Sequence, residues 1–278
     1  MRLIEEGTFV NTVAIATSRM PGFRSISFTD LPHPADCQDS HRSESFAKRP
    51  YSANNIPRFV TGPMQWSHME PDWNWWSPGL PPARILWDLP IAIQKEAGPK
   101  LKEMHVHCFP LRADSVDESS VPSPDDLSTA FENLEQAVFS TQKPSGTPFP
   151  LVDRPVHILE GTQVALRYIS AMVSGPCLKK VDIRPASFST LSDNSTLHAS
   201  AISPSLQHLN APGLTNLSLV HVLVSQSAWD TFCGGLGGSL KEVKLKGVRL
   251  LGGGSLTSLD VLGTKTRDLY LDGERWTS

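Results

Sequence analysis

The stretch Leu240-Lys241-Glu242-Val243-Lys244-Leu245 carries apolar residues at its first, fourth and sixth positions and charged residues between them. That spacing suits a short strand: side chains alternate across a strand, so Val243 and Leu245 share one face while Glu242 and Lys244 share the other. The same L-x-x-L-x-L hexapeptide occurs at Leu214 to Leu219, and a weaker copy at Thr266 to Leu271. The three starts, 214, 240 and 266, are 26 residues apart each time.

Further copies lie upstream at Phe23-Arg-Ser-Ile26-Ser-Phe28, Leu101-Lys-Glu-Met104-His-Val106 and Leu178-Lys-Lys-Val181-Asp-Ile183. Their starts are 78 and 77 residues apart, close to three periods, so insertions or unrecognised repeats lie between them. A Gly- or Pro-containing triplet precedes every copy: Met20-Pro21-Gly22, Gly98-Pro99-Lys100, Gly175-Pro176-Cys177, Ala211-Pro212-Gly213, Gly237-Gly238-Ser239 and Gly263-Thr264-Lys265. Gly ends a helix by accepting positive φ, and Pro ends one by lacking the backbone N–H.

Helical spacing precedes five of the six triplets. It is carried by Val10, Val13, Ala14 and Thr17; by Leu89, Ile93 and Ala97 behind an Asp88 cap; by Ala165, Ile169 and Met172; by Trp229, Phe232, Cys233 and Leu236; and by Leu256, Leu259 and Leu262 behind Ser255. The predicted unit is helix, tight stop, short strand. One such unit cannot cover its own apolar faces, so units must stack, and a period of 26 falls within the roughly 20 to 29 residues of leucine-rich repeats. The expected fold is α/β: an irregular leucine-rich-repeat-like solenoid with a parallel sheet on one face and helices on the other, spanning residues 1–278 as a single domain.

Two interruptions are expected. Residues 31–82 carry nine prolines and four of the seven tryptophans, Trp66, Trp73, Trp75 and Trp76. Those indoles read either as an aromatic platform for a ligand or as pins holding the excursion to the domain. Residues 110–160 form the second, with a helix predicted behind Pro124-Asp125-Asp126 through Leu127, Phe131, Leu134 and Val138. Residues 185–205, rich in Ser, read as a loop.

Composition narrows the function. Lys and Arg number 25 against 28 Asp and Glu, a net charge of -3, which is poor support for nucleic acid or an anionic membrane surface. No stretch approaches the roughly 18 apolar residues of a membrane span, and Glu5, Glu6 and Gly7 stand where a signal peptide needs an apolar run. The expected location is intracellular, cytoplasmic or nuclear. Cys37, Cys108, Cys177 and Cys233 are too widely spaced for a metal knuckle or a compact disulfide framework and read as unpaired, mostly buried thiols.

Chemical motifs are sparse. His105-Val106-His107-Cys108 is the one compact group of soft ligands; on a strand His105 and His107 point to the same side, but a metal needs further ligands that the sequence does not supply. Gly252-Gly253-Gly254-Ser255 and the glycines at 234, 235, 237 and 238 match neither phosphate-loop pattern and read as turns between repeats. No G-x-S-x-G elbow and no H-E-x-x-H is present. The chain is therefore expected to be non-enzymatic, with no cofactor, no catalytic residue and no metal ligand assigned.

The remaining candidate is the outward face of the sheet, built from the third, fifth and seventh positions of each unit. It comprises Ser25, Ser27 and Thr29; Glu103, His105 and His107; Lys180, Asp182 and Arg184; Asn216, Ser218 and Val220; Glu242, Lys244 and Lys246; and Asp268, Tyr270 and Asp272. Its mixed charge suits a protein partner better than nucleic acid, and an ordinary solvated face is the competing reading.

The order F-R-S-I-S-F at 23–28, P-P-A-R-I-L-W-D-L-P at 81–90 and S-L-K-E-V-K-L-K-G-V-R-L-L-G-G-G-S at 239–255 resembles the leucine-rich-repeat-like region of uncharacterised fungal F-box-type proteins. The resemblance implies substrate recognition for ubiquitin ligation, with the adaptor-binding F-box missing before Phe23. Two alternatives stand beside this interaction module. One is a metal-dependent or small-molecule enzyme built around His105 and His107 with the Trp-rich excursion as lid. The other is a truncated relic without independent function, since only six residues follow Asp272 to cover the last repeat.

Overall fold

A computed structural model describes residues 7–28, 81–98, 101–107, 109, 123–141, 155–185, 202–209, 211–236, 238–251, 257–272 and 274–275. The Trp-rich excursion before residue 81, Cys37, Cys108, Thr29 and the triple glycine at 252–254 lie outside the described residues, as does most of the loop expected at 185–205.

Helices and strands alternate along the chain. They are α1 (Thr8–Ser18), β1 (Ser25–Phe28), α2 (Pro81–Ala97), β2 (Glu103–Val106), α3 (Pro124–Phe131), β3 (Gln136–Thr141), α4 (Pro155–Val173), β4 (Lys180–Pro185), α5 (Ser203–His208), β5 (Asn216–Val220), β6 (Leu223–Ser225), α6 (Gln226–Gly235), β7 (Glu242–Lys246), β8 (Arg249–Leu251), α7 (Thr257–Lys265), β9 (Asp268–Leu271) and β10 (Glu274–Arg275). The main sheet has the order β1-β2-β3-β4-β5-β7-β9-β10, and every pair in it is parallel except the antiparallel β9 and β10. A second, two-stranded parallel sheet joins β6 to β8. Each helix from α1 to α7 packs against the next one in the chain. The protein is thus a mixed α/β fold with a mainly parallel sheet, as the sequence predicts at that level.

All three hexapeptide strands of the 26-residue series form, as do the three upstream copies. Register is uniform: Ser25, Glu103, Gln136, Lys180, Asn216, Glu242 and Asp268 pair in one row, and every one is the third residue of its hexapeptide. Of the fourth and sixth positions, Met104, Val106, Val181, Ile183, Leu217, Leu219, Val243 and Leu245 are buried in one continuous core, and Phe28 and Leu271 at the outer strands are partly buried against it. Leu101, Leu134, Leu178, Leu214 and Leu240, at the first position, are all buried too.

The carbonyl of the second residue sets this register. Lys179 O accepts from the N–H groups of both Thr215 and Asn216, and Thr215 O accepts from both Lys241 and Glu242. The same forked pattern runs from Arg24 O to Lys102 and Glu103, from Lys102 O to Glu135 and Gln136, and from Glu135 O to Lys179 and Lys180.

Three expectations change. The helix predicted through Leu127, Phe131, Leu134 and Val138 starts as expected, with Ser123 capping the Asp125 N–H at 3.3 Å, but stops at Phe131. Leu134 then opens a seventh copy of the hexapeptide, Leu134-Glu-Gln-Ala137-Val-Phe139, and β3 fills the place between β2 and β4. The pairing on both sides outweighs the local helical spacing. The stretch 110–160 therefore contains a full helix and strand of the series rather than only an interruption. Finally, α2 begins at Pro81 and not behind Asp88, and it runs through Pro90.

Pro90 has no N–H, so the Leu86 carbonyl one turn back loses its helical partner. Tyr168 of α4 supplies the replacement: its buried hydroxyl donates to Leu86 O at 2.8 Å, and its ring lies among Trp87, Phe109 and Phe131. Gly98, at φ 67°, ends α2 with its N–H on Gln94 O at 3.1 Å, the left-handed stop that Gly-Pro implied.

Candidate interaction face

The third and fifth positions of the hexapeptides line the side of the sheet opposite the core, and there the structure brings the predicted residues together. One row is Ser25, Glu103, Gln136, Lys180, Asn216, Glu242 and Asp268; the next is Ser27, His105, Val138, Asp182, Ser218, Lys244 and Tyr270. All of these side chains are exposed or half-buried. Sequence reasoning omitted Gln136 and Val138 along with their strand.

Charge on this face is arranged strand by strand. Asp182 and Arg184, two apart on β4, form a bidentate pair at 2.8 and 2.6 Å, and that pairing raises the guanidinium pKa. On β7, Lys244 Nζ lies 2.9 Å from Glu242 Oε1, and Asn216 donates to the other oxygen of Glu242 at 3.1 Å. These two donors hold the Glu242 carboxyl below its ordinary pKa. Lys244 also lies 5.9 Å from the centre of the Tyr270 ring. On β2, His105 Nε2 stands 3.6 Å from Glu103 Oε2. Exposed pairs of this kind are worth only about 0–1 kcal/mol each, so their effect is to fix where charge sits rather than to hold the fold.

The seventh positions divide. Lys246 is exposed at the end of β7. His107 follows β2, with its N–H on Phe28 O at 2.8 Å. Asp272 belongs to a turn: it sits at φ 48°, and its Oδ1 accepts from the Gly247 N–H at 2.7 Å. Gly247 itself is left-handed at φ 58°, and a Cβ there would lie 2.5 Å from Nδ1 of His221 in the neighbouring turn, so any larger residue would strain the backbone and displace the His221 ring.

The rings of His105 and His107 are 6.2 Å apart, on the same side as the alternation predicts. Among the described residues no group of three or more His, Cys, Asp or Glu side chains comes together as a metal site. Cys233 is a free thiol buried in the core, where desolvation pushes its pKa up to about 12; Cys177 is free and exposed. No helix among the described residues is long and apolar enough to cross a membrane.

A further column escaped the sequence reading because it falls on the second position, between two residues assigned to the core and the face. It consists of Arg24, Lys102, Glu135, Lys179, Thr215, Lys241 and Arg267, one from each successive unit. Glu135 is bridged from both sides, by Lys179 at 2.6 Å and Lys102 at 3.7 Å, and the Lys179 hydrogen bond foremost draws its pKa below the ordinary value. The signal was available: basic residues recur at this place in five of the seven hexapeptides.

Compared with known proteins, the sequence matches no family model and no curated protein.

Proposed function

We propose that the chain is a non-enzymatic protein-interaction module, an irregular leucine-rich-repeat-like solenoid that engages a partner protein through the open face of its sheet. The observation that carries this reading is the register: equivalent positions of seven units pair with one another, so a row of polar side chains runs across seven strands without a break. A stack of equivalent units with one uncovered polar face is the arrangement by which repeat proteins offer an extended binding surface. The resemblance to fungal F-box-type proteins favours a role in recognising substrates for ubiquitin ligation inside the cell.

A photo-crosslinking amino acid at Ser27 or Lys244 on the face, compared with one at Glu96 or Gln207 on exposed helix positions, tests this in native extract. Discrete protein adducts are expected from the two face positions alone. Adducts from the helix positions only, or equally from all four, would remove the face from the proposal. A ligase adaptor copurifying with the captured partner would support the ubiquitin role.

A further inference from the structure

The second-position column is a basic rim that borders the open face along the starts of the strands. Five cations, Arg24, Lys102, Lys179, Lys241 and Arg267, stand there against the single carboxylate of Glu135, although the chain as a whole carries -3. Among the described residues the Glu135 carboxylate engages Lys102 and Lys179. Arg24, Lys241 and Arg267 are exposed, and their charged side chains have no hydrogen-bond or ion-pair partner among the described residues; the same holds for the side chain of Lys180 beside them in the next row.

The carboxylates of the face are already engaged: Glu103 with His105, Asp182 with Arg184, Glu242 with Lys244 and Asn216, and Asp272 with the Gly247 N–H. Asp268 also has a partner. These contacts do not cancel the carboxylate charges, but rim and face together carry nine Lys and Arg against six Asp and Glu, and Arg24, Lys241 and Arg267, whose side chains have no partner among the described residues, lie along the rim. Six steps between seven strands, at about 4.8 Å each, make a rim about 29 Å long. An extended chain covers that distance in about nine residues at about 3.3 Å per residue.

We propose that this rim receives an extended acidic segment of the partner protein, rich in Asp and Glu and laid across the strand starts from Arg24 to Arg267. The proposal rests on the reading of the sheet face as a protein-binding surface and names the chemistry of what binds. Charge of opposite sign along a line steers association and fixes register, and it is weakened by salt.

The test is fluorescence anisotropy of the full chain with a labelled 12-residue Asp/Glu-rich peptide, a Gln/Asn peptide of equal length and a 12-nucleotide oligothymidylate. The acidic peptide is expected to bind at least about tenfold more tightly than the neutral one, about 1.4 kcal/mol, and to weaken from 50 to 300 mM salt. The triple change Arg24→Glu, Lys241→Glu, Arg267→Glu should abolish that preference. The charge-matched triple Arg19→Glu, Lys95→Glu, Arg249→Glu, at exposed positions off the rim, should keep it, with circular dichroism verifying that both variants fold.

Equal loss in both variants would overturn the proposal, because bulk charge would then explain the binding. Oligothymidylate binding more tightly than the peptide and lost with the rim would overturn it in favour of nucleic acid. If the acidic peptide does not bind while Ser27 and Lys244 still crosslink a partner, the rim proposal falls and the sheet face stands. Failure of both removes the surface altogether.

Discussion

Pro90 sits where a helix should break, yet α2 continues through it because a residue far along the chain repairs the damage. The Leu86 carbonyl that Pro90 cannot serve is buried and accepts from the Tyr168 hydroxyl at 2.8 Å. Tyr168→Phe keeps the ring and removes the donor, leaving that carbonyl without a partner, so it should cost about 1–3 kcal/mol in urea denaturation. In a Pro90→Ala background the helix regains its own N–H at that turn, and the same Tyr168→Phe change should then cost less than half as much. Equal costs in both backgrounds would mean that the hydroxyl does not substitute for the helical donor. An Asp88 cap ahead of Leu89, Ile93 and Ala97 puts the helix start two turns too late. The compensating partner is 78 residues away, and no local spacing announces it.

At the scale of elements, what was legible was the hexapeptide. Its apolar fourth and sixth residues, with an apolar first residue in five of the six copies, identified six strands from chemistry alone, and those strands form. The seventh was missed for two physical reasons. Ala137 is a weak apolar marker, and the preceding Phe131-Glu132-Asn133 has neither Gly nor Pro, since this helix turns into its strand without a left-handed or proline stop. The candidate face was legible to the same extent, as alternation names which residues look outward. The rim was not, because position two lies before the strand proper and its direction is set by pairing rather than alternation.

Contacts between elements were likewise invisible in the sequence. Lys265, in the last turn of α7, reaches the end of α6 and donates to the carbonyls of Cys233 at 3.0 Å, Gly234 at 2.8 Å and Leu236 at 3.1 Å. Those are groups a helix leaves unsatisfied at its C-terminus, where a cation also complements the helix dipole. Lys265→Met retains the aliphatic stem and loses the three bonds; it should cost about 1–2 kcal/mol and hasten amide exchange in the last turn of α6. Unchanged exchange there would count against the capping role.

For the whole molecule, the carboxylates on and beside the face tie stability to pH. Glu135 and Glu242 both titrate below their ordinary value of 4.5 when folded, through hydrogen bonds from Lys179 and from Lys244 and Asn216. A lowered folded pKa means that the unfolded chain takes up protons first as acid is added. Their contribution is therefore present above about pH 4.5 and is lost as pH falls through the folded values. Denaturation midpoints should be level near neutrality and decline below that point, and Lys179→Gln should flatten the part of the decline owed to Glu135. Because both groups are mostly solvated, the decline should be shallow.

Uniform register has a consequence for how such a chain tolerates change. The six residues of each unit and the bonds at its second carbonyl, forked in five of the six pairings, fix the strand against its neighbour, whereas the stretches between strands are not held to any length. Starts at 23, 101, 134, 178, 214, 240 and 266 leave gaps that vary from 26 to 78 residues, while the pairing of third residue with third residue never slips. Residues added or lost in a connection need not shift the face by one position. The connections are free to diverge in length, and the surface they join keeps its spacing like the rungs of a ladder.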